Sequence, residues 1–515
     1  MRYGNQLAVY AFALLLVGTA CGTPNTPPDA GAPSTVAAPP AEFLDGPCAT
    51  TPHPVPILGG ARCGELVVPV NRTEPDGATL RLAVAVIPSQ IQPPTSDPLV
   101  FLMGGPGQDA IADPPINPDY PLNRSRDLIL MGQRGNLTSS TPMACPEIDR
   151  FYARRVGLPY NAPSTGAEYV TAVRECHDRL APTTDLSAFN STESTYDLID
   201  LRKALGIAKW NVFSHSYGTD LALIYLRHDA DAIASIAFDG VTPPSVAALG
   251  WTWASAEEAF DNMIEACASQ PACAQRYPDL EATFLRLVGD LEANPLTTTV
   301  DVPGVGPTTV VVDGGMLLNW FVPVATHLPA DFPAAIDELA HGNPDLVASQ
   351  WAAAWTNPDK VGFLAWGLTL SIWCREWVPF ETVEDQLAAA RAAFPKFPDS
   401  VLAQAPQLPF LREGCAAWNV PKAPDSIRDT TTSDVPTLVL SGSYDGQTGA
   451  VWGDYIAKNL SRSTVVVVAG AAHGVYAEPC GAEIIASFFD NPGNPDASCA
   501  DTTRPPAYDI RPPGP

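Results

Sequence analysis

Positive charge is scarce in this chain. Its 29 Lys and Arg face 56 Asp and Glu across 515 residues, a formal net charge of −27. A surface so acidic repels phosphate backbones, which excludes nucleic acid as a partner. Histidine is scarcer still, at seven residues, and no cysteine pair has Cys-x-x-Cys spacing with histidines clustered beside it. The usual zinc patterns are therefore missing, and no metal or organic cofactor is expected. No internal repeat is present, and low complexity is confined to one Pro/Ala-rich stretch near the start. What the chain does have is apolar content of 46%, enough for a large core.

The first twenty residues read as an export signal. Arg2 is followed by an apolar stretch, 7–17, which is too short to span a membrane, and by the small residues Gly18-Thr19-Ala20 before Cys21. This arrangement resembles the lipobox of bacterial lipoproteins, although Gly18 departs from the leucine usual three residues before the cysteine. The resemblance implies lipidation at Cys21 and anchoring to a membrane of the bacterial cell envelope, with plain secretion as the alternative. Residues 21–47 then form a tether rich in Pro, Ala, Thr and Gly. Setting Cys21 aside leaves an even ten cysteines, as a disulfide framework in an oxidising compartment requires. Chain proximity suggests Cys48–Cys63, Cys145–Cys176, Cys267–Cys273, Cys374–Cys415 and Cys480–Cys499.

Eight apolar, β-branched runs are expected as strands, at 66–70, 80–87, 99–103, 128–131, 210–213, 233–238, 437–440 and 465–468. The first two are close enough for an antiparallel hairpin. The later ones are short, continuously apolar and separated by helices or long loops, the mark of buried parallel strands. The fold class is therefore α/β, with an eight-stranded, mostly parallel sheet. The rhythm stops after the sixth strand and resumes at the seventh. Between them, 246–430 reads as a mainly helical cap with one hairpin near Gly304 and Gly306. Core segments 48–245 and 431–515 flank it.

One turn carries the chemistry. Ser214-His215-Ser216-Tyr217-Gly218 lies between the fifth strand and a helix, with small residues two before and two after Ser216. A turn that tight leaves no room for larger flanking side chains. Serine needs a base, and His473 falls just beyond the last strand. The base needs an acid, and Asp445 follows the strand before it. Asp239, after the sixth strand, is a second candidate acid. A tetrahedral intermediate needs amide donors. Gly104-Gly105-Pro106-Gly107 follows the third strand, and the amides of Gly105 and Tyr217 form the expected pair.

Together these loops, with Gly132-Gln133-Arg134-Gly135 after the fourth strand, resemble the tripeptidyl/prolyl aminopeptidase branch of the α/β-hydrolases. The resemblance runs from about residue 48 to 499 and is thin in the cap. It implies the α/β-hydrolase fold and its chain order of Ser216, Asp445 and His473. Cysteines placed like Cys267–Cys273 and Cys480–Cys499 also look like those of exported members. The departures are Met103 where relatives often carry His or Asn, Gly132 for Asp, Ser214 for the first elbow glycine, and Gly449 for proline.

An aminopeptidase must recognise a substrate α-ammonium, which favours a cap carboxylate. Glu376, between Trp373 and Trp377, is the candidate, with Glu257 and Glu258 weaker ones. The expected function is an exported serine exopeptidase that removes short N-terminal units from short peptides through an acyl-enzyme. An esterase or amidase with the same machinery is the alternative. A non-catalytic surface binding lipoprotein is the third reading.

Overall fold

The computed structural model describes residues 41–512, apart from 75–76, 95, 115–119, 358–361, 405 and 407. The stretch read as an export signal, Cys21 and the expected tether up to residue 40 lie outside the described residues. Nine strands form one sheet: β1 (Glu42–Asp45), β2 (Arg62–Pro69), β3 (Thr79–Ile87), β4 (Leu99–Leu102), β5 (Leu128–Met131), β6 (Trp210–His215), β7 (Ile233–Asp239), β10 (Thr437–Gly442) and β11 (Ser463–Val468). A separate hairpin pairs β8 (Leu296–Val302) with β9 (Gly306–Val312). The sheet order is β1-β2-β3-β5-β4-β6-β7-β10-β11. β1, β2, β3 and β5 pair antiparallel, and from β5 to β11 every pairing is parallel.

The eight expected strands are thus joined by a ninth, β1, inside the stretch read as tether. Its two apolar residues, Phe43 and Leu44, are too few to show a period of two. Pairing with β2 orders it: Arg62 lies over the Phe43 ring and reaches Asp45 at 2.6 Å.

Alternation along the strands builds a core on each face. Val100, Leu102, Ile129, Met131, Val212 and Val439 join one apolar cluster, while Leu99, Phe101, Leu128, Leu130, Phe213 and Leu440 join the other. With both faces covered, β4, β5 and β10 are continuously buried. Between β7 and β10 the chain forms helices and the β8/β9 hairpin, with positive φ at Gly304 (77°) and Gly306 (95°). Most of a third apolar cluster comes from this insertion, including Trp253, Phe260, Phe284, Phe321 and Phe332.

Five disulfides join Cys48–Cys63, Cys145–Cys176, Cys267–Cys273, Cys374–Cys415 and Cys480–Cys499, the pairs that chain proximity suggests. Among the described residues, no helix is long and apolar enough to cross a membrane. For the site, the decisive point is strand direction. β4, β6, β7, β10 and β11 are neighbours pointing one way, so the loops after them meet at one edge of the sheet.

Candidate active site

Ser216 ends β6 and starts the helix Tyr217–Asp229 with φ 54° and ψ −130°, a region that costs a non-glycine residue about 1–3 kcal/mol. Neighbours hold it there. Its amide donates to Asp239 O at 3.0 Å, and its carbonyl accepts from Thr219 N at 2.8 Å and Thr219 Oγ1 at 2.6 Å. A Cβ at Gly218 would stand 2.2 Å from Leu102 O, so the second small position is forced by β4. The first is Ser214, buried, whose hydroxyl donates to Ala237 O at 3.1 Å on β7. A hydroxyl fits where glycine is usual because the neighbouring strand supplies an acceptor.

Asp445 and His473 meet at the ends of β10 and β11. His473 Nδ1 lies 2.9 Å from Asp445 Oδ2. A carboxylate can only accept, so Nδ1 carries the proton and Nε2 keeps its lone pair. Asp445 is buried and saturated: Oδ1 accepts from the Gln447 and Thr448 amides at 2.9 Å each, and Oδ2 also accepts from Thr448 Oγ1 at 2.8 Å. Burial alone would raise its pKa. The positive charge that His473 can carry, together with these hydrogen bonds, outweighs burial and holds it well below the ordinary carboxylate range. For His473, burial pulls the pKa down, and the Asp445 charge and hydrogen bond lift it above 6.5.

Ser216 Oγ makes no hydrogen bond to another described residue, His473 included. Neighbouring residues connect the two loops. His215, next to Ser216 in the chain, has its ring 4.6 Å from that of His473. A Cβ at Gly240, just after β7, would stand 3.2 Å from both Asp445 Oδ2 and His473 Cε1. His215 is kept neutral by burial and by the proximity of His473, and its Nδ1 faces Asp239 O at 3.2 Å. Asp239 has a different task from the acid's. Its Oδ1 accepts from Val475 N at 3.2 Å and its Oδ2 from Tyr476 N at 2.7 Å, so it staples the chain just after His473. Burial raises its pKa to about 7.

On the opposite side, Gly104 approaches so closely that a Cβ there would lie 2.8 Å from Ser216 Cβ. Gly105 takes φ 105°, open to glycine and not to other residues. The Tyr217 amide, at the first helical position, has no acceptor within its own helix. These are the two candidate oxyanion donors, on loops that flank Ser216.

Glu376 requires a correction. Recognition of an ammonium needs a carboxylate open to a pocket, whereas Glu376 is 2% exposed. Its oxygens accept from Ser191 N at 2.8 Å and Ser191 Oγ at 2.5 Å. Burial, offset in part by those bonds, raises its pKa to about 7. It belongs to an interior network behind the elbow. Glu258 is likewise engaged, accepting from Val451 N, and lies against Gly449 where proline is usual.

Several supporting residues carried no sequence signal. Thr448 shares Asp445 Oδ2 with His473. His327, from the insertion, places Nε2 3.1 Å from His473 O. Asp109 binds Thr138 N and Oγ1 at 2.8 Å each, with Oδ1 3.7 Å from where a Cβ of Gly132 would stand. A carboxylate therefore stands beside the position where Gly132 replaces Asp. Chain distance hides His327 and Asp109, whereas Thr448, three residues after Asp445, is hidden because a threonine there looks like any turn residue.

Residues 404–503 match the model of the TAP-like protein family. Over 260 residues the chain is 28% identical to the putative hydrolase YuaR of Escherichia coli, covering 46% of this chain and 48% of that protein. Over 248 residues it is 27% identical to the serine protease Hip1 of Mycobacterium tuberculosis, covering 44% and 45%. The chain thus spans about half the length of the relatives it matches. A solved structure, the proline iminopeptidase of Mycobacterium smegmatis, aligns over 83% of this chain and 98% of its own, at 14% identity and a TM-score of 0.36.

Proposed function

We infer that this chain, an α/β-hydrolase with a TAP-like C-terminal region, is an exported serine peptidase that removes short N-terminal units from short peptides. The observation that carries the hydrolase reading is the Asp445–His473 pair, with Nδ1 protonated, beside a serine held at positive φ. Ser216 Oγ attacks the scissile carbonyl carbon while His473 Nε2 takes its proton. Asp445 stabilises the imidazolium that results. The amides of Gly105 and Tyr217 receive the negative oxygen. The C–N bond then breaks as Nε2–H protonates the leaving amine, and water repeats the sequence to free the acyl product.

The exopeptidase reading draws on the motif resemblance and on the insertion, which we take as a cap. Its residues reach the base at His327 and the acid loop at Glu258 and Ser255, the latter accepting from Gly449 N at 2.9 Å. Such a cover favours short peptides over folded proteins. Export is supported by five disulfides, which persist in oxidising compartments. Lipidation at Cys21 would complete the anchoring.

The test is fluorophosphonate labelling of the wild type and Ser216→Ala, followed by turnover of blocked and unblocked tripeptidyl, prolyl and acyl-ester substrates. Labelling lost in Ser216→Ala and preference for the unblocked peptides support the proposal. An unlabelled wild type favours the binding lipoprotein. Equal turnover of blocked peptides or simple esters favours the esterase or amidase.

A further inference from the structure

The two candidate oxyanion donors sit on different segments, Gly105 in the loop after β4 and Tyr217 at the start of the helix after β6. The loop after β5 touches both, through Asn136 Nδ2 to Gln108 O at 2.8 Å and Gln133 Nε2 to Tyr217 OH at 3.2 Å, and so does an element of the insertion: the helix Trp366–Glu376, about 16 Å long for its 11 residues. At its start, Ala365 N donates to Gly107 O at 3.0 Å, and Thr369 Oγ1 donates to Pro106 O at 2.5 Å. The approach is close enough that a Cβ at Gly107 would stand 2.9 Å from both Ala365 O and Thr369 Oγ1. Leu364 Cδ2 lies 3.3 Å from where a Cβ of Gly105 would be.

At its end, Glu376 accepts from Ser191, and Ser191 Oγ lies 2.8 Å from Tyr217 OH. Tyr217 OH in turn lies 3.2 Å from Gln133 Nε2, which can only donate. With Glu376 as a carboxylate, the donors run one way: Gln133 to Tyr217, Tyr217 to Ser191, Ser191 to Glu376. All of these groups are buried. The helix itself is pinned. Cys374 is bonded to Cys415, Ser371 Oγ accepts from Trp418 Nε1 at 3.0 Å, and Gly367 N donates to Met143 O at 2.9 Å.

We propose that the helix Trp366–Glu376 braces both walls of the oxyanion hole, with Thr369 and Glu376 as positioning residues that set the separation of the Gly105 and Tyr217 amides. This rests on the serine-hydrolase reading. It gives the insertion a part in the chemical step, besides limiting access, and it gives Glu376 a role in place of ammonium recognition. Donors aimed at a developing charge work only if already in place, and an error of about 1 Å can cost on the order of a hundredfold in rate.

The experiment measures kcat and KM for Thr369→Val, Thr369→Ser, Tyr217→Phe and Glu376→Gln. Each is assayed on an unblocked tripeptidyl anilide and on a small acyl ester, with thermal melts as a check on folding. Tyr217→Phe keeps the ring and the amide and removes only the hydroxyl link. The proposal expects Thr369→Val and Tyr217→Phe to lower kcat by about ten- to a hundredfold on both substrates, with KM within about threefold, and Thr369→Ser to restore most of the rate. It is overturned if folded Thr369→Val and Tyr217→Phe keep kcat within about threefold of the wild type. It is equally overturned if Glu376→Gln raises KM for the unblocked peptide alone, which would return Glu376 to ammonium binding. A wild type that Ser216-directed fluorophosphonate does not label would instead remove the hydrolase reading beneath it.

Discussion

Asp445→Asn isolates the charge of the acid from its shape. The asparagine Oδ1 can keep the two 2.9 Å bonds from Gln447 N and Thr448 N, so the loop has no reason to move. The amide nitrogen then stands where Oδ2 was, 2.9 Å from His473 Nδ1. Two donors cannot share that contact. His473 relieves it by accepting at Nδ1 and carrying its proton on Nε2, where it can no longer take one from Ser216. The imidazolium formed during attack also loses its counter-charge. Together these are expected to lower kcat by about 10³–10⁴-fold, equivalent to about 4 to 5.5 kcal/mol of barrier. The assay is steady-state turnover of a substrate that the wild type cleaves, beside the rate of fluorophosphonate labelling and a thermal melt. Asp239→Asn is the control, because Asp239 holds the Val475 and Tyr476 amides and not the His473 ring. A loss under tenfold in Asp445→Asn, or a larger loss in Asp239→Asn, would refute the assignment of the acid.

Activity should fall on the acid side with a midpoint above 6.5, since His473 must be neutral to act as base and its pKa is raised; a kcat/KM profile against pH measures this. The same shifts act on stability. The depressed Asp445 contributes stability above about 3.8 that is lost as pH falls through its folded value, and the raised His473 contributes stability below about 6.5 that is lost as pH rises through its own. Denaturant titrations of the wild type and Asp445→Asn should therefore differ most between those limits. Gly218→Ala places a methyl 2.2 Å from the Leu102 carbonyl, and a loss of about 3 kcal/mol, together with loss of labelling, is expected in melts and active-site titration. Arg134→Met takes from the fully buried Asp197 the donor on Oδ2 and one of two on Oδ1, each at 2.7 Å, and leaves Arg72 on Oδ1 at 2.8 Å; about 3 kcal/mol of destabilisation should appear in denaturant curves.

Much of the site was legible because its parts are tied to strand ends. A short apolar run followed by Ser216, Asp445 or His473 is a local pattern, and parallel neighbours bring such ends to one edge. The Gly218 requirement could be read too, since tight turns exclude side chains wherever they occur. β1 escaped notice because Phe43 and Leu44 are too brief a pattern and depend on β2 for their order. Glu376 was misread for a related reason: a carboxylate between two tryptophans looks the same in sequence whether it faces a pocket or Ser191, 185 positions away.

The sequence by itself singled out the candidate residues Ser216, Asp445 and His473 and the order in which strands deliver them, because these rest on local periodicity and turn sterics. Tertiary structure alone decided which oxygens and amides meet. The saturation of Asp445, the staple at Asp239 and the direction of the Gln133–Tyr217–Ser191–Glu376 chain all join residues far apart in sequence. Their distances are set by how helices pack across the sheet, which no local pattern encodes.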